Sequence, residues 1–157
     1  MELKTLIACY SYSGHTLKVA EALKKAINAD ITHIESVKDK WYLLRLLDAI
    51  RGKKVPIKPC QTDLMSYQGL VLCCPVWGSR TPAAINQYLV EIKNVKGKQF
   101  GVFVTSGGNR PQKATIQMRE YLDKEDMQFI GQMRILTKDV EKEDYGEIFD
   151  IFVKKFV

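Results

Sequence analysis

Three short segments hold most of the residues that could do chemistry: SYSGHT at 11–16, PVWGSRTP at 75–82 and TSGGNRP at 105–111. The first has three hydroxylic residues and no lysine, arginine or acid. It lies between the apolar run LKTLIACY and the helix-like LKVAEALKKAI. At a helix N-terminus the first amides lack partners, and the helix dipole favours an anion. Ser11, Ser13 and Thr16 can add hydroxyl donors, and Gly14 lets the backbone turn tightly. Such a loop can hold a phosphate without a counter-ion, or it can be a turn that only caps the helix. It is neither GxxxxGK[ST] nor GxGxxG. In the second segment Trp77 offers a flat aromatic face and Gly78 allows close backbone approach. The chain has no GxSxG, no Cys/His pairing and no metal-ligand spacing, so its own side chains supply no nucleophile. Its four cysteines, Cys9, Cys60, Cys73 and Cys74, read as buried free thiols, with Cys73 and Cys74 on opposite faces of one strand.

The elements around these segments alternate. Residues 3–10 and 69–76 are apolar runs suited to buried strands, and 29–37 alternates as a strand near an edge would. Further strands are expected at 98–106 and 127–136. Helices are expected at 15–28 and 40–51, from Thr81-Pro82 onward with Thr81 as N-cap, from Pro111 to about Lys124, and as one closing helix over 141–157. In the 40–51 helix, Leu43, Leu46, Leu47 and Ile50 form a core-facing stripe with Trp41 and Leu44 off it. That helix could be a dimer face, a docking face or a cover, or could pack its aromatics under the 53–67 loop. The order β-α-β-α-β-α-β-α-β-α implies one parallel sheet covered on both faces. Ligands bind such sheets at the carboxyl ends of the strands, where all three segments fall in a 2-1-3-4-5 order.

The length of 157 residues suits a single domain, 1–157, with 46% hydrophobic and 27% charged residues. No run is long enough to span a membrane, and MELKT is not a signal-peptide pattern, so a cytoplasmic protein is expected. The net charge of +6 is concentrated: seven basic residues against two acids between Lys38 and Lys58 account for +5. That confinement argues against nucleic acid as a partner.

LIACYSYSGHTLKVAEAL resembles the signature of the flavodoxin family, with Ser11, Gly14, Thr16, Ala20 and Leu23 at matching places. Ala8 and Cys9 depart from it, inside the strand. PVWGSRTPAAINQYL and KWYLLRLLDAIRGKKVPIKP resemble a short-chain branch of that family. The resemblance implies a flavodoxin-like three-layer α/β/α sandwich with a five-stranded parallel sheet of order 2-1-3-4-5, binding FMN. Ser11, Tyr12, Ser13, Gly14, His15 and Thr16 would hold the phosphate, with His15 facing solvent beside it. Pro75, Val76, Trp77 and Gly78, with Thr105, Ser106, Gly107 and Gly108, would hold the isoalloxazine. Trp77 would stack on the ring, Gly78 would supply a peptide that reorients toward the flavin N5, and the 105–108 amides would meet the pyrimidine edge.

Two functions then compete with a flavin-free binding module. The first expectation is a carrier that shuttles electrons between redox protein partners, an acidic, ferredoxin-like one suiting this basic chain. The alternative is an enzyme that takes hydride from NAD(P)H and reduces a quinone-like acceptor. The third segment has no aromatic to cover the second flavin face, which favours the enzyme. Arg80 and Arg110 are solvated loop charges or attract an anionic substrate. A homodimer is compatible with either function.

Overall fold

The computed structural model describes residues 3–38, 41–108 and 113–157. Five strands form one parallel sheet: β1 (Thr5–Cys9), β2 (Asp30–His33), β3 (Gly69–Pro75), β4 (Gln99–Ser106) and β5 (Gln128–Leu136). Their order, β2-β1-β3-β4-β5, is the expected one. β1 is buried along its whole length and β3 along all but its last residue, as continuously apolar strands require. β2, more polar, is an edge strand.

Two layers of helix cover the sheet. On one face lie α1 (His15–Ile27) and α6 (Gly146–Val153). On the other lie α2 (Tyr42–Ile50), α3 (Ala83–Glu91) and α4 (Lys113–Lys124). Val19, Ala20, Leu23 and Ile27 recur at helical spacing and bury against Ile7, Cys9, Val71 and Cys73. Cys73 packs with the α1 side and Cys74 with the α3 side, as strand alternation demands. Burial pushes both thiols well above their usual range, which leaves them unreactive. Gly101 makes the α6 side close: a Cβ there would meet Phe156 Cζ at 2.8 Å and Phe152 Cζ at 3.0 Å.

The sequence reading needs correcting at four places. The closing helix expected over 141–157 forms only as α6, after a turn with Glu143 and the first α6 residue, Gly146, at positive φ, and a separate short helix, α5 (Thr137–Glu141), follows β5 directly. Glycine adopts that conformation cheaply, and it breaks the helical path. At α3 the cap position is Pro82, with ψ 150°, and Thr81 instead donates to Asn86 Oδ1 at 2.6 Å. Of the expected stripe on α2 only Leu46 packs on the core, while Leu43, Leu47 and Ile50 are exposed and Asp48 and Ala49 are buried. Trp41 is 85% exposed, so it is not packed under the 53–67 loop. Arg110 and the helix start at Pro111 lie outside the described residues.

Candidate functional site at the carboxyl edge of the sheet

The three chemically distinctive segments do meet. Parallel registry sets Pro75 beside Thr105, and the Val76 amide donates to Thr105 O at 3.1 Å. Thr16 Oγ1 and Thr105 Oγ1 lie 2.7 Å apart, both buried, which joins the first segment to the third. Tyr12 packs on Trp77 at 5.6 Å between ring centroids, which joins the first to the second.

The first segment is a folded turn. Ser11 Oγ accepts from the Gly14 amide at 3.1 Å and the Leu17 amide at 3.3 Å. Gly14, at φ 93°, has the left-handed conformation that sends the chain into α1, and a Cβ there would meet nothing within 4 Å. Ser13 Oγ bonds His15 Nδ1 at 2.7 Å, and His15 Nε2 lies 3.2 Å from Glu141 Oε1. His15 is therefore tied to α5 across the loop, beyond the simple solvent exposure expected of it. Thr16 points inward to Thr105, so its hydroxyl sets loop geometry. Ser13 and Gly14 are exposed, with α1's leading amides beside them.

The second segment makes a tight turn. The Trp77 and Arg80 amides each donate to the other's carbonyl, at 3.1 and 2.9 Å, with Gly78 and Ser79 at φ 55° and 67°. Two consecutive positive φ values are the signature of a type I′ turn. Helix α2 lies directly on it: a Cβ on Gly78 would be 2.5 Å from Ile50 Cγ1. Among the roles weighed for this helix, the geometry matches a cover over the site.

Trp77 departs from expectation. It is 5% exposed, and Tyr10, Tyr12 and Tyr42 meet it edge to face at 5.6–5.7 Å, so its faces are not open for stacking. Arg45 holds this cluster from α2: Nη1 donates to Tyr10 Oη at 2.6 Å and the guanidinium lies 5.0 Å from the Tyr12 ring centroid. Burial pushes the Tyr10 phenol up, and Arg45 opposes that only in part, so Tyr10 stays neutral at physiological pH. Behind Trp77 lies a hollow of about 260 Å³ bounded by Tyr10, Arg45, Asp48, Pro56 and Ala84. Asp48 is buried there, 3.6 Å from Lys53 Nζ. Sequence reasoning missed Tyr10, Tyr42 and Arg45. The spacing of Tyr42 and Arg45, one helical turn apart, was the available signal.

Of the third segment the structure describes Thr105 to Gly108. Ser106 Oγ donates to Gly108 O at 3.0 Å, and Gly107 and Gly108 are exposed with nothing within 4 Å of where a Cβ would stand. Among the described residues no group of three or more His, Cys, Asp or Glu could hold a metal.

The fit to FMN differs at the two ends. The α1 N-terminus, with neutral hydroxyls and a left-handed glycine, suits a phosphate as it stands. The open Gly107–Gly108 backbone suits a ring edge, while Tyr12 and Tyr42 must part from Trp77 before a ring can stack on it. The tyrosine cluster itself is testable. In a Trp41→Phe variant without FMN, the remaining Trp77 is expected to emit at the blue-shifted position of a buried indole and to resist iodide quenching. Emission like that of free tryptophan would contradict the cluster.

A doubly wound sheet with these loops at its carboxyl edge is the architecture of a flavodoxin-like FMN-binding protein. Comparison with known proteins agrees. The sequence model of the family described as NADPH-dependent FMN reductase matches residues 3–140, and the chain belongs to that family. A flavoprotein from Lactobacillus acidophilus NCFM, solved in complex with FMN, is 26% identical, with 91% of this chain and 98% of that one covered and a TM-score of 0.71. Two more distant structures share the fold. One, an archaeal flavodoxin, is 18% identical over 97% of this chain and 99% of its own, with a TM-score of 0.55. The other, from P. pentosaceus and described as an NADPH-quinone reductase, is 13% identical over 99% and 98%, with a TM-score of 0.63. No curated protein matches the chain. The expectations of a flavodoxin-like fold and of FMN as cofactor are borne out.

Proposed function

We propose that this protein is an FMN-dependent oxidoreductase that takes hydride from NAD(P)H and delivers electrons to a quinone-like small acceptor. The observation that carries this reading is the family match over residues 3–140. It reverses the order of preference reached from sequence, where the carrier came first. The described part of the third segment supports the same reading, since hydride transfer needs one uncovered flavin face and Gly107–Gly108 brings no side chain over it.

In this proposal FMN supplies hydride acceptance and the protein positions it. Ser11, Ser13, Gly14, His15 and Thr16 form the phosphate cradle, with Tyr12 closing over it. Pro75, Val76, Trp77 and Gly78 form one wall for the ring. Thr105, Ser106, Gly107 and Gly108 offer backbone amides to its pyrimidine edge, where donors stabilise the negative charge that reduction brings. The Thr16–Thr105 bond fixes the cradle relative to that edge. A cytoplasmic location, where NAD(P)H is supplied, belongs to the proposal. Among the described residues no helix is long and apolar enough to cross a membrane.

The test is an anaerobic titration of the FMN-loaded protein with NADPH, then NADH, following flavin absorbance. Prompt bleaching without added reductase is the expected result. An absorbance that holds steady until dithionite is added would return the protein to the carrier class.

A further inference from the structure

Helix α2 leaves most of its apolar side chains outside, and among its leucines Leu46 alone packs on the core. An ordinary surface helix buries its apolar stripe. Here Leu43, Leu44 and Ile50 are 64%, 51% and 47% exposed, while Asp48 and Ala49 face the protein. Trp41, at the N-cap, projects almost wholly into solvent. Tyr12, exposed and 5.8 Å from Tyr42 between ring centroids, extends the patch to the rim of the site. A contiguous apolar ridge of this kind marks a surface that something covers.

The ridge is bordered by positive charge. Lys38, Arg51, Lys53 and Lys54 are exposed at its two ends. Among the described residues from 41 to 58, Asp48 is the sole acid, and it is buried beside Lys53. A second copy of the chain is a poor cover, because a twofold interface would set the two basic borders against each other, and the exposed acid Glu35, beside Tyr12 and Arg45, is already paired with Lys58 at 3.1 Å. An acidic protein would have to offer a shaped pocket for Trp41. A lipid surface makes no such demand: the apolar side chains enter the acyl boundary while the basic ones meet anionic headgroups, and helix length does not decide whether this happens.

We propose that the outer face of α2 docks the protein on an anionic lipid surface, with Trp41, Leu43, Leu44 and Leu47 inserted at the interface. Docked so, the Tyr12–Tyr42 rim of the site lies next to the headgroup layer. The inference goes beyond the redox reading and does not depend on it.

The test is co-sedimentation of the FMN-loaded protein with phosphatidylcholine vesicles, with and without phosphatidylglycerol. Binding is expected only where phosphatidylglycerol is present, with a blue shift of Trp41 emission and loss at high salt. An Arg51→Glu/Lys54→Glu variant is expected to bind roughly thirtyfold more weakly or worse. A Trp41→Ser/Leu44→Ser variant, altered only at exposed positions, should keep its flavin spectrum and lose vesicle binding. No binding to either vesicle type would overturn the proposal, as would binding that both variants retain. A dimer in sedimentation velocity that dissolves in the Trp41→Ser/Leu44→Ser variant, with no vesicle binding, would assign the face to a second copy. Capture of an acidic ferredoxin without vesicle binding would assign it to a protein. Either overturns the lipid assignment.

Discussion

Valine in place of Gly14 is expected to weaken FMN binding about a hundredfold, as a β-branched residue cannot hold the left-handed backbone there without a cost of about 1–3 kcal/mol. Gly14 sits at φ 93° as the residue before α1, and open space surrounds it. The penalty is therefore conformational and not steric. The loop relieves it by rotating, which breaks the Gly14–Ser11 bond that shapes the turn and so displaces the phosphate cradle. Gly97→Val is the matched control: Gly97 has φ 76° and equally open space, but precedes β4 at the opposite edge of the sheet. Titration of the apoproteins with FMN, followed by flavin fluorescence, should separate the two. An affinity unchanged in Gly14→Val would remove SYSGHT from the site. Thr16→Ala is a less clean probe, since it also strips the buried Thr105 hydroxyl of its partner.

Phe152→Ala is expected to cost about 3–5 kcal/mol of stability, the range for deleting a fully buried aromatic side chain. Phe152 is 2% exposed, stacks on Phe156 at 5.3 Å and fills the space over Gly101 and Gly131. No larger residue can take its place from the sheet, because both positions beneath it are glycine. The cavity thus stays open, and the melting temperature should fall by roughly 10 °C for a chain of this length. Chemical denaturation of both proteins checks the size. A loss under about 1 kcal/mol would mean that α6 collapses onto the sheet and that the packing described here is loose.

Much of this architecture was legible because it rests on local rules. Apolar runs at 3–10 and 69–76 are what strands buried on both faces require, and the alternation with helical stretches leaves few topologies. The loops followed from position alone: whatever stands after β1, β3 and β4 must gather at one edge. The late start of α6 was harder to see, because 142–145 carries no glycine or proline and the one glycine near it, Gly146, is the first residue of the helix itself.

Side-chain direction at the site was not legible. Whether Trp77 shows its face or buries it depends on Tyr10, Tyr12 and Tyr42, which come from the end of β1, the first loop and α2. No spacing rule links residues so far apart in the chain. The outward apolar face of α2 has the same origin. Leu43, Leu46, Leu47 and Ile50 have a good amphipathic period, and period says which residues share a face. Which residues turn inward was decided by the Arg45–Tyr10 bond and by the packing of Leu46 and Ala49 on the core. The sequence by itself thus determined the sheet, its order and the edge at which the three loops gather, since periodicity and chain connectivity act locally. Only the tertiary structure decided that Trp77 is covered and that an apolar ridge faces outward, since contacts between distant segments set those orientations.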